Sequence, residues 1–318
     1  MKIVAAGGAG FIGAHLCEKL LEAGHEVLCL DNFLTSTREN ITFLKKNKNF
    51  TLLERDVTQP LPQNISADAV FHLASPASPN RHSSLSYHNL PLETMLANTV
   101  GTLELLKFSV RNKAKFLFAS SSEVYGDPLE HPQKETYNGN VSSLGPRSVY
   151  DEAKRFGETL TFHFYRKNNA DVRIARIFNT YGPGMLKDDM RMIIVFILQA
   201  LQDEPITVFG DGKQTRSLCY IDDMVNGLIS LMFSSHTNGE VINLGSAEEH
   251  AVLDYAQLIK KITKSDSKIV FSEKLPQDDP KKRKPDIAKA KKLLNWEPHT
   301  ELETGLGTMI DYCKKNIL

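Results

Sequence analysis

Short, mostly apolar runs alternate with longer segments of helical spacing through the first half of the chain. Such runs are typical of strands buried on both faces of a parallel sheet. They predict strands over residues 3–6, 26–30, 50–53, 69–74, 115–119 and 172–177. Between the first two, apolar residues recur on one helical face at Phe11, Ile12, Leu16, Leu20 and Leu21. Gly24 follows as the residue that ends this predicted helix.

The alternation predicts strand–helix–strand units, which right-handed crossovers stack into a Rossmann-type, doubly wound α/β sheet. After Asn179 the rhythm is lost, and a turn cluster at residues 181–184 precedes a helix predicted over 190–201. We therefore expect a nucleotide-binding domain over residues 1–178, to which segments near 217–246 return. Residues 179–318 are expected to form mainly a smaller C-terminal α/β substrate lobe.

Composition narrows the classes of partner. Lys and Arg number 38 and Asp and Glu number 38, so no global field favours nucleic acid or an anionic membrane. The basic run 281–284 stands alone, which indicates a solvated loop, and the histidine spacings predict no metal site. The four cysteines form no C-x-x-C pair, and no run reaches membrane-spanning length. Because the first predicted strand follows Met1 directly, no signal peptide is predicted, and we expect a cytoplasmic protein.

A glycine motif joins the first predicted strand to the first helix. Gly7, Gly10 and Gly13 permit a tight turn, and the backbone N–H groups at the positive helix end suit a pyrophosphate. We expect Phe11 and Ile12, inside this motif, to bind the same dinucleotide.

An acidic residue follows the second predicted strand. Asp31 has the spacing of a carboxylate that binds an adenosine ribose, which favours NAD over NADP despite the nearby Arg38. Asn32 is expected beside it. The pair Asp56 and Val57 is placed either to meet the adenine or to cap a turn.

Candidate catalytic residues stand on a predicted helix and at a strand end. Tyr150 and Lys154 are four residues apart, hence on one helical face, where the ammonium and an oxidised nicotinamide would favour the phenolate. Ser121, Ser122 and Glu123 follow the fifth predicted strand, and the carboxyl ends of parallel strands face the crevice of such sheets. The combination predicts proton abstraction from a hydroxyl group.

Together the motifs resemble the UDP-glucuronate decarboxylases, or UDP-xylose synthases, of the extended short-chain dehydrogenase/reductase superfamily. The resemblance rests on the glycine motif and on residues 72–79, 121–128, 145–147 with 150–155, 176–183 and 280–286. It spans nearly the whole chain. In related 4,6-dehydratases an Asp stands where this chain has Ser122, and 4-epimerases commonly lack the glutamate at the position of Glu123.

The resemblance implies roles for single residues. Ser121 would bridge Tyr150 and the sugar, Tyr150 would be the base, and Lys154 would tune it and bind the nicotinamide ribose. Glu123 and Ser122 would act near carbon 5, and Arg283 near the carboxylate or a water. The implied NAD contacts include Leu73, Ala74 and Ser75. The implied UDP-sugar contacts are Asn179, Arg191, Phe209, Arg216 and Arg283, although Phe209 equally suits a core.

The implied activity converts UDP-glucuronate to UDP-xylose through a 4-keto intermediate, with NAD recycled internally. Release of UDP-4-keto-pentose, a 4-epimerase, a 4,6-dehydratase and a non-catalytic NAD-binding regulator remain alternatives. Leu96 and Ala97 replace a Lys-Thr pair of the family and leave substrate identity open, whereas Ala6 in place of threonine is tolerable. By resemblance, helices around 92–111 and 149–166 would pair in a homodimer, although a monomer's core could equally bury them.

Overall fold

The computed structural model describes residues 1–318 and contains a seven-stranded parallel sheet. Its strands are β1 (Lys2–Ala6), β2 (Glu26–Asp31), β3 (Phe50–Glu54), β4 (Ala69–His72), β5 (Lys115–Ser121), β6 (Val172–Ile177) and β11 (Glu240–Leu244). Their order is β11-β6-β5-β4-β1-β2-β3. The order in which successive strands are added thus reverses between β1 and β4, which is the point where doubly wound sheets bind ligands. The predicted Rossmann-type fold is confirmed.

Six short strands form three two-stranded sheets. These are β7 (Thr180–Tyr181) with β10 (Cys219–Tyr220), β9 (Thr215–Arg216) with β12 (His250–Ala251), and β8 (Ile206–Val208) with β13 (Ile269–Phe271). The helices are α1 (Phe11–Glu22), α2 (Pro91–Leu96), α3 (Thr102–Asn112), α4 (Ser148–Asn168), α5 (Met192–Leu201), α6 (Ile221–Phe233), α7 (Val252–Thr263), α8 (Ala288–Leu294) and α9 (Leu302–Asn316). No helix combines the length and the apolar character that crossing a membrane would require.

Alternate residues of the sheet pack into different cores. Ile3 and Ala5 of β1 face α1 and α6, whereas Val4 and Ala6 face α3 and join the core that contains Phe116. This two-sided burial explains why the strands read as continuous apolar runs. A third core packs α5, α7 and α9 together around β8 in the C-terminal part of the chain.

Several element ends differ from the predicted ones for local reasons. Strand β4 stops at His72, and the chain then turns toward the glycine motif, where a Cβ on Gly7 would lie 2.6 Å from the amide nitrogen of Ala74. Helix α5 starts only at Met192, because Met190 has a φ of 56° and Arg191 is extended. The helix predicted over 92–111 is divided by a wider turn at Ala97–Gly101. Gly24, with a φ of 80°, follows α1 as expected.

Candidate active site

A cleft of about 680 Å³ opens at the carboxyl ends of β1, β4, β5 and β6. The glycine motif forms one end, the start of α4 forms its centre, and residues from α5, β8 and β9 form the other end. The strap, defined as residues 272–287 between β13 and α8, closes part of this second end. One concave site therefore includes groups from both halves of the chain.

The glycine motif is shaped for close backbone approach. Gly7 has a φ of 77°, which favours glycine, and a Cβ on Gly13 would lie 2.1 Å from the Gly7 carbonyl oxygen. Gly10 caps α1 without any side-chain hydrogen bond. The first amides of α1, at Phe11 and Ile12, have no partner within the helix and face the cleft. Uncapped amides at a positive helix end fit a pyrophosphate, so this end of the cleft fits a dinucleotide.

Asp31 at the end of β2 is 7% exposed and is fixed by three hydrogen bonds. Its carboxylate accepts the amides of Ala9 and Phe33 at 2.9 Å and the Ser36 hydroxyl at 2.8 Å. The carboxylate is thereby held against the glycine motif, although Asp31 itself is not among the residues that line the cleft. Arg38 is paired with Glu54 and lies 4.3 Å from the centre of the Phe33 ring.

The next predicted cofactor residues lie beside the cleft and not in its lining. Asp56 accepts the Thr58 amide at 2.8 Å, the Thr58 hydroxyl at 2.6 Å and the Asn32 amide at 2.9 Å. Asp56 therefore caps the turn after β3, and its contact with an adenine stays a prediction. Val57 is buried against Gly101. Of residues 73–75, Leu73 and Ser75 line the cleft.

Tyr150 and Lys154 meet inside the cleft on the first turns of α4. The Lys154 Nζ donates to the Ala119 carbonyl at 2.8 Å and lies 5.5 Å from the centre of the Tyr150 ring. Burial lowers the pKa of Lys154 to about 7. Burial also raises the pKa of Tyr150 to about 12, against a smaller opposing effect of the Ser121 hydroxyl. Without the oxidised nicotinamide on which the sequence prediction also depends, the Tyr150 phenol therefore stays protonated at neutral pH.

The three serines at the end of β5 have different hydrogen-bond partners. Ser120 borders the cleft, but its hydroxyl donates to Glu158 at 2.6 Å. The Ser121 Oγ accepts the Glu123 amide at 3.2 Å. Ser122 accepts the Arg283 Nη1 at 3.1 Å. Ser121 thus adjoins the Tyr150 phenol, and Ser122 adjoins the Arg283 guanidinium that holds Glu123.

Glu123 is a buried carboxylate held by two arginines. Its Oε2 pairs with Arg147 and its Oε1 with Arg283. Burial would raise the pKa of Glu123, but the two guanidinium groups outweigh it and lower the pKa to about 2. Glu123 is therefore ionised at neutral pH, and it is a fixed negative charge in the middle of the cleft.

Arg283 differs in place from the expectation. It is 2% exposed and does not line the cleft. Its guanidinium is occupied by Ser122, by Glu123 and by the Gly126 carbonyl, which accepts Nη2 at 2.9 Å. The strap places Arg283 beneath the end of β5. Arg283 therefore acts on the cleft indirectly, by holding the carboxylate of Glu123.

The far end of the cleft contains the other predicted substrate residues, Asn179, Arg191, Phe209 and Arg216. Arg216 donates to the carbonyls of Thr215 and Pro280 and to Asp279, each at 2.8 Å. Phe209 lines the cleft and belongs to none of the buried cores. Its ring is thus available to a planar ligand.

Sequence reasoning missed three residues of this site. Tyr87 stacks on Tyr150 with ring centres 5.0 Å apart and planes 16° apart. Arg147 pairs with Glu123 and donates to Asp279 at 3.2 Å. Arg147 had a signal, since it stands one helical turn before Tyr150 in a motif of the resemblance. Tyr87 and Asp279 had none, because their partners are far away in the chain.

The matching family model agrees with this fold and site. A model of the NAD dependent epimerase/dehydratase family matches residues 3–245. The chain belongs to this family. More particularly, it is similar over its whole length to the UDP-glucuronic acid decarboxylases, as the motifs indicate.

Two curated relatives and one solved structure illustrate the similarity. UDP-glucuronic acid decarboxylase 1 of Xenopus tropicalis is 47% identical over 316 residues, which cover 99% of this chain and 73% of that protein. Its namesake in Arabidopsis thaliana is 47% identical over 318 residues, with 100% and 71% covered. The UDP-glucuronic acid 4-epimerase of Bacillus cereus, solved with UDP-glucuronic acid and NAD, has a TM-score of 0.86 at 32% identity and covers 99% of both chains.

Proposed function

We propose that the protein decarboxylates UDP-glucuronate to UDP-xylose, with NAD bound throughout the cycle. One observation carries the proposal: Tyr150, Ser121 and an arginine-held Glu123 share the cleft that the glycine motif opens. Whole-length similarity to proteins named UDP-glucuronic acid decarboxylase supports it. The bound NAD would accept a hydride from carbon 4 of the sugar and later return it, so that no net oxidation occurs.

Tyr150 would take the proton of the carbon 4 hydroxyl. Its buried phenol has a pKa of about 12 by itself. The Lys154 ammonium and the positive nicotinamide beside it would lower that pKa and make the phenolate accessible. Ser121, which adjoins the phenol, would hold the sugar oxygen in line. In this arrangement the Ala119 carbonyl fixes the Lys154 ammonium, which would act on both the Tyr150 phenol and the bound nicotinamide nucleoside.

Oxidation at carbon 4 would allow the carboxyl group on carbon 5 to leave as CO₂. The ketone stands β to the carboxyl group, so the electron pair of the breaking carbon–carbon bond moves onto the ketone oxygen as an enolate. Tyr150, then protonated, would donate to that oxygen. The pKa of about 2 makes Glu123 a poor proton donor at neutral pH. We therefore propose that Glu123 orients the sugar or a water at carbon 5. That water would donate the proton that carbon 5 receives after CO₂ has left.

We propose that the two lobes divide the ligands. Residues 1–178, with segments near 217–246, would bind NAD through the glycine motif and Asp31. Residues 179–318 would mainly bind the UDP-sugar. Arg216 suits a diphosphate, because a guanidinium fork matches phosphate oxygens, and Phe209 suits the uracil face. Both line the same end of the cleft.

A 4-epimerase is the second candidate, favoured by the solved Bacillus cereus enzyme at 32% identity. Both reactions begin with oxidation at carbon 4 and differ in the fate of the carboxyl group. Purified protein should therefore be incubated with UDP-glucuronate, and the products separated by mass. Release of CO₂ with UDP-pentose supports decarboxylation, whereas an isomer that retains every carbon would replace this proposal by the epimerase.

We further propose a homodimer formed through α2 and α4. Apolar side chains are exposed there, namely Leu92, Met95, Leu96, Val100 and Phe156. Met95 and Phe156 line one shallow concavity. Leu96, which stands where the family has a lysine, is 42% exposed and does not line the cleft, so it belongs to this surface and not to the substrate site. Light scattering should give a dimer mass, and Phe156→Glu should give a monomer; an unchanged mass for both would contradict this interface.

A cytoplasmic location also remains our proposal. It is supported by the four cysteines, which are buried and unpaired, as expected under reducing conditions. Fractionation of the source cells should recover the protein with cytosolic markers, and recovery with an oxidising compartment would contradict it.

A further inference from the structure

Charged side chains of alternating sign form a row from Arg283 of the strap, past the end of β5, to Arg216 of β9. In order of contact they are Arg283, Glu123, Arg147, Asp279 and Arg216. Each is at most 17% exposed as a side chain. Buried charges are tolerated only when paired, so the members of this row depend on one another. Arg147 stands at its centre and joins Glu123 to Asp279.

The two oxygens of Glu123 are held from different directions. Arg283 approaches Oε1 from the strap, beneath β5, whereas Arg147 approaches Oε2 from the start of α4. A carboxylate with one guanidinium partner can still rotate about its last bond. With a separate partner on each oxygen, that rotation is blocked. The direction of Glu123 in the cleft is therefore set by Arg147 as much as by Arg283.

Arg147 is itself placed by its neighbours. Its side chain is 6% exposed, and its Nη1 donates to Asp279 at 3.2 Å. Its Nε has no partner, so both anchors of the guanidinium are carboxylates. Its backbone carbonyl accepts the amides of Tyr150 and Asp151 at the start of α4. A change of the Arg147 side chain leaves those helix bonds in place.

We propose that Arg147 is a positioning residue, which acts on the reaction by fixing the orientation of Glu123 during loss of the carboxyl group. This inference rests on the proposed decarboxylation. It assigns to Arg147 no direct contact with the sugar. If it holds, the arginine matters only while the glutamate is present.

The test is a double-mutant cycle between Arg147→Met and Glu123→Gln, with CO₂ release from UDP-glucuronate measured in single turnovers. Arg147→Met should slow CO₂ release about 100-fold, the usual order for a misplaced catalytic group. NADH formation in the first step should change less than about 3-fold, since Tyr150 and Lys154 are untouched. In the Glu123→Gln background, the same arginine change should cost less than about 3-fold. Lys167→Met, an exposed position of α4, is the matched control.

Each outcome decides the question. Losses that multiply in the double variant, or a raised KM with unchanged kcat, would overturn the positioning role in favour of direct substrate contact or general damage. Arg147→Lys, which retains the charge, should recover part of the rate. If Arg147→Met does not fold, as judged by NAD binding and thermal unfolding, the cycle is run with Arg147→Lys. Absence of CO₂ from the unaltered protein would instead defeat the proposed function itself.

Discussion

The two ends of the cleft are built in opposite ways. The dinucleotide end is made of backbone: Gly7 and Gly13 approach each other closely, and uncapped amides open α1. The opposite end is made of charged side chains, such as Arg216 and Asp279, which meet across 63 residues of sequence. The dinucleotide end is formed by seven consecutive residues, Gly7 to Gly13. The charged end forms only after the strap has folded over the cleft.

This difference has an energetic consequence. Backbone amides at a helix end cost little to keep ready for an anion, because the helix satisfies its other groups. A row of buried ion pairs costs desolvation, and removal of one member commonly costs about 3–5 kcal/mol. We therefore expect changes at the dinucleotide end to act by shape and changes at the charged end to act by charge.

The centre of the cleft, where both ends meet, should give the largest effect. Tyr150→Phe removes the proposed base but keeps the ring that stacks on Tyr87. Turnover of UDP-glucuronate should fall by about 10²–10⁴-fold, while NAD affinity stays within about 3-fold. Steady-state kinetics and a fluorescence titration measure the two quantities. Tyr165→Phe, on the same helix, is the control; equal activity in both variants would exclude the proposed base.

At the dinucleotide end, Gly13→Ala should weaken NAD binding through shape alone. The new Cβ would lie 2.1 Å from the Gly7 carbonyl oxygen, so the loop must move. Overpacking of this kind costs about 1–3 kcal/mol, which is about 5- to 150-fold in affinity. Gly307→Ala is the control, since a Cβ there meets nothing within 4 Å. A Gly13→Ala protein with unchanged NAD affinity, measured by calorimetry, would contradict the fit of this loop to a pyrophosphate.

The contrast also explains how far the sequence could predict the molecule. The sheet strands, the glycine loop and the Tyr150–Lys154 pair follow from local periodicity and fixed spacing, and the structure contains each of them. Glu123 was found because it lies shortly after a predicted strand and within a motif of the resemblance. These features need no knowledge of distant contacts.

The rest depends on tertiary contacts that spacing does not encode. The arginine pair on Glu123 joins positions separated by 24 and 160 residues. The sequence therefore indicated a carboxylate for proton chemistry, whereas its partners make it permanently charged. Likewise, Arg283 was recognised by its motif, but only the path of the strap decides that it lies beneath the cleft.

At the charged end, Asp279→Asn should tighten binding of UDP. Arg216 keeps its bonds to the carbonyls of Thr215 and Pro280, while its Nη2 loses a competing carboxylate. Removal of one negative charge at this range is worth about 1 kcal/mol, or about fivefold in Kd, and less at high salt. Calorimetry at two salt concentrations measures it, with Asp278→Asn as the exposed neighbour control. Weaker binding would show instead that Asp279 aligns Arg216 for the diphosphate.

The smallest effect concerns stability and pH at Asp151, which is 5% exposed and has an Oδ1 without a partner. Burial, together with the charge of Glu123, raises its pKa to about 8 against the effect of the arginines. An unfolded Asp has a pKa of about 3.9, so between about pH 4 and 8 the folded state holds the extra proton. The free energy of unfolding therefore falls as pH rises through that window. Asp151→Asn removes this loss and should raise the Tm by a few °C more at pH 8 than at pH 5. Scanning calorimetry at both pH values, with the exposed Glu152→Gln as control, checks the prediction. An equal gain at both would mean that Asp151 is already ionised in the folded protein.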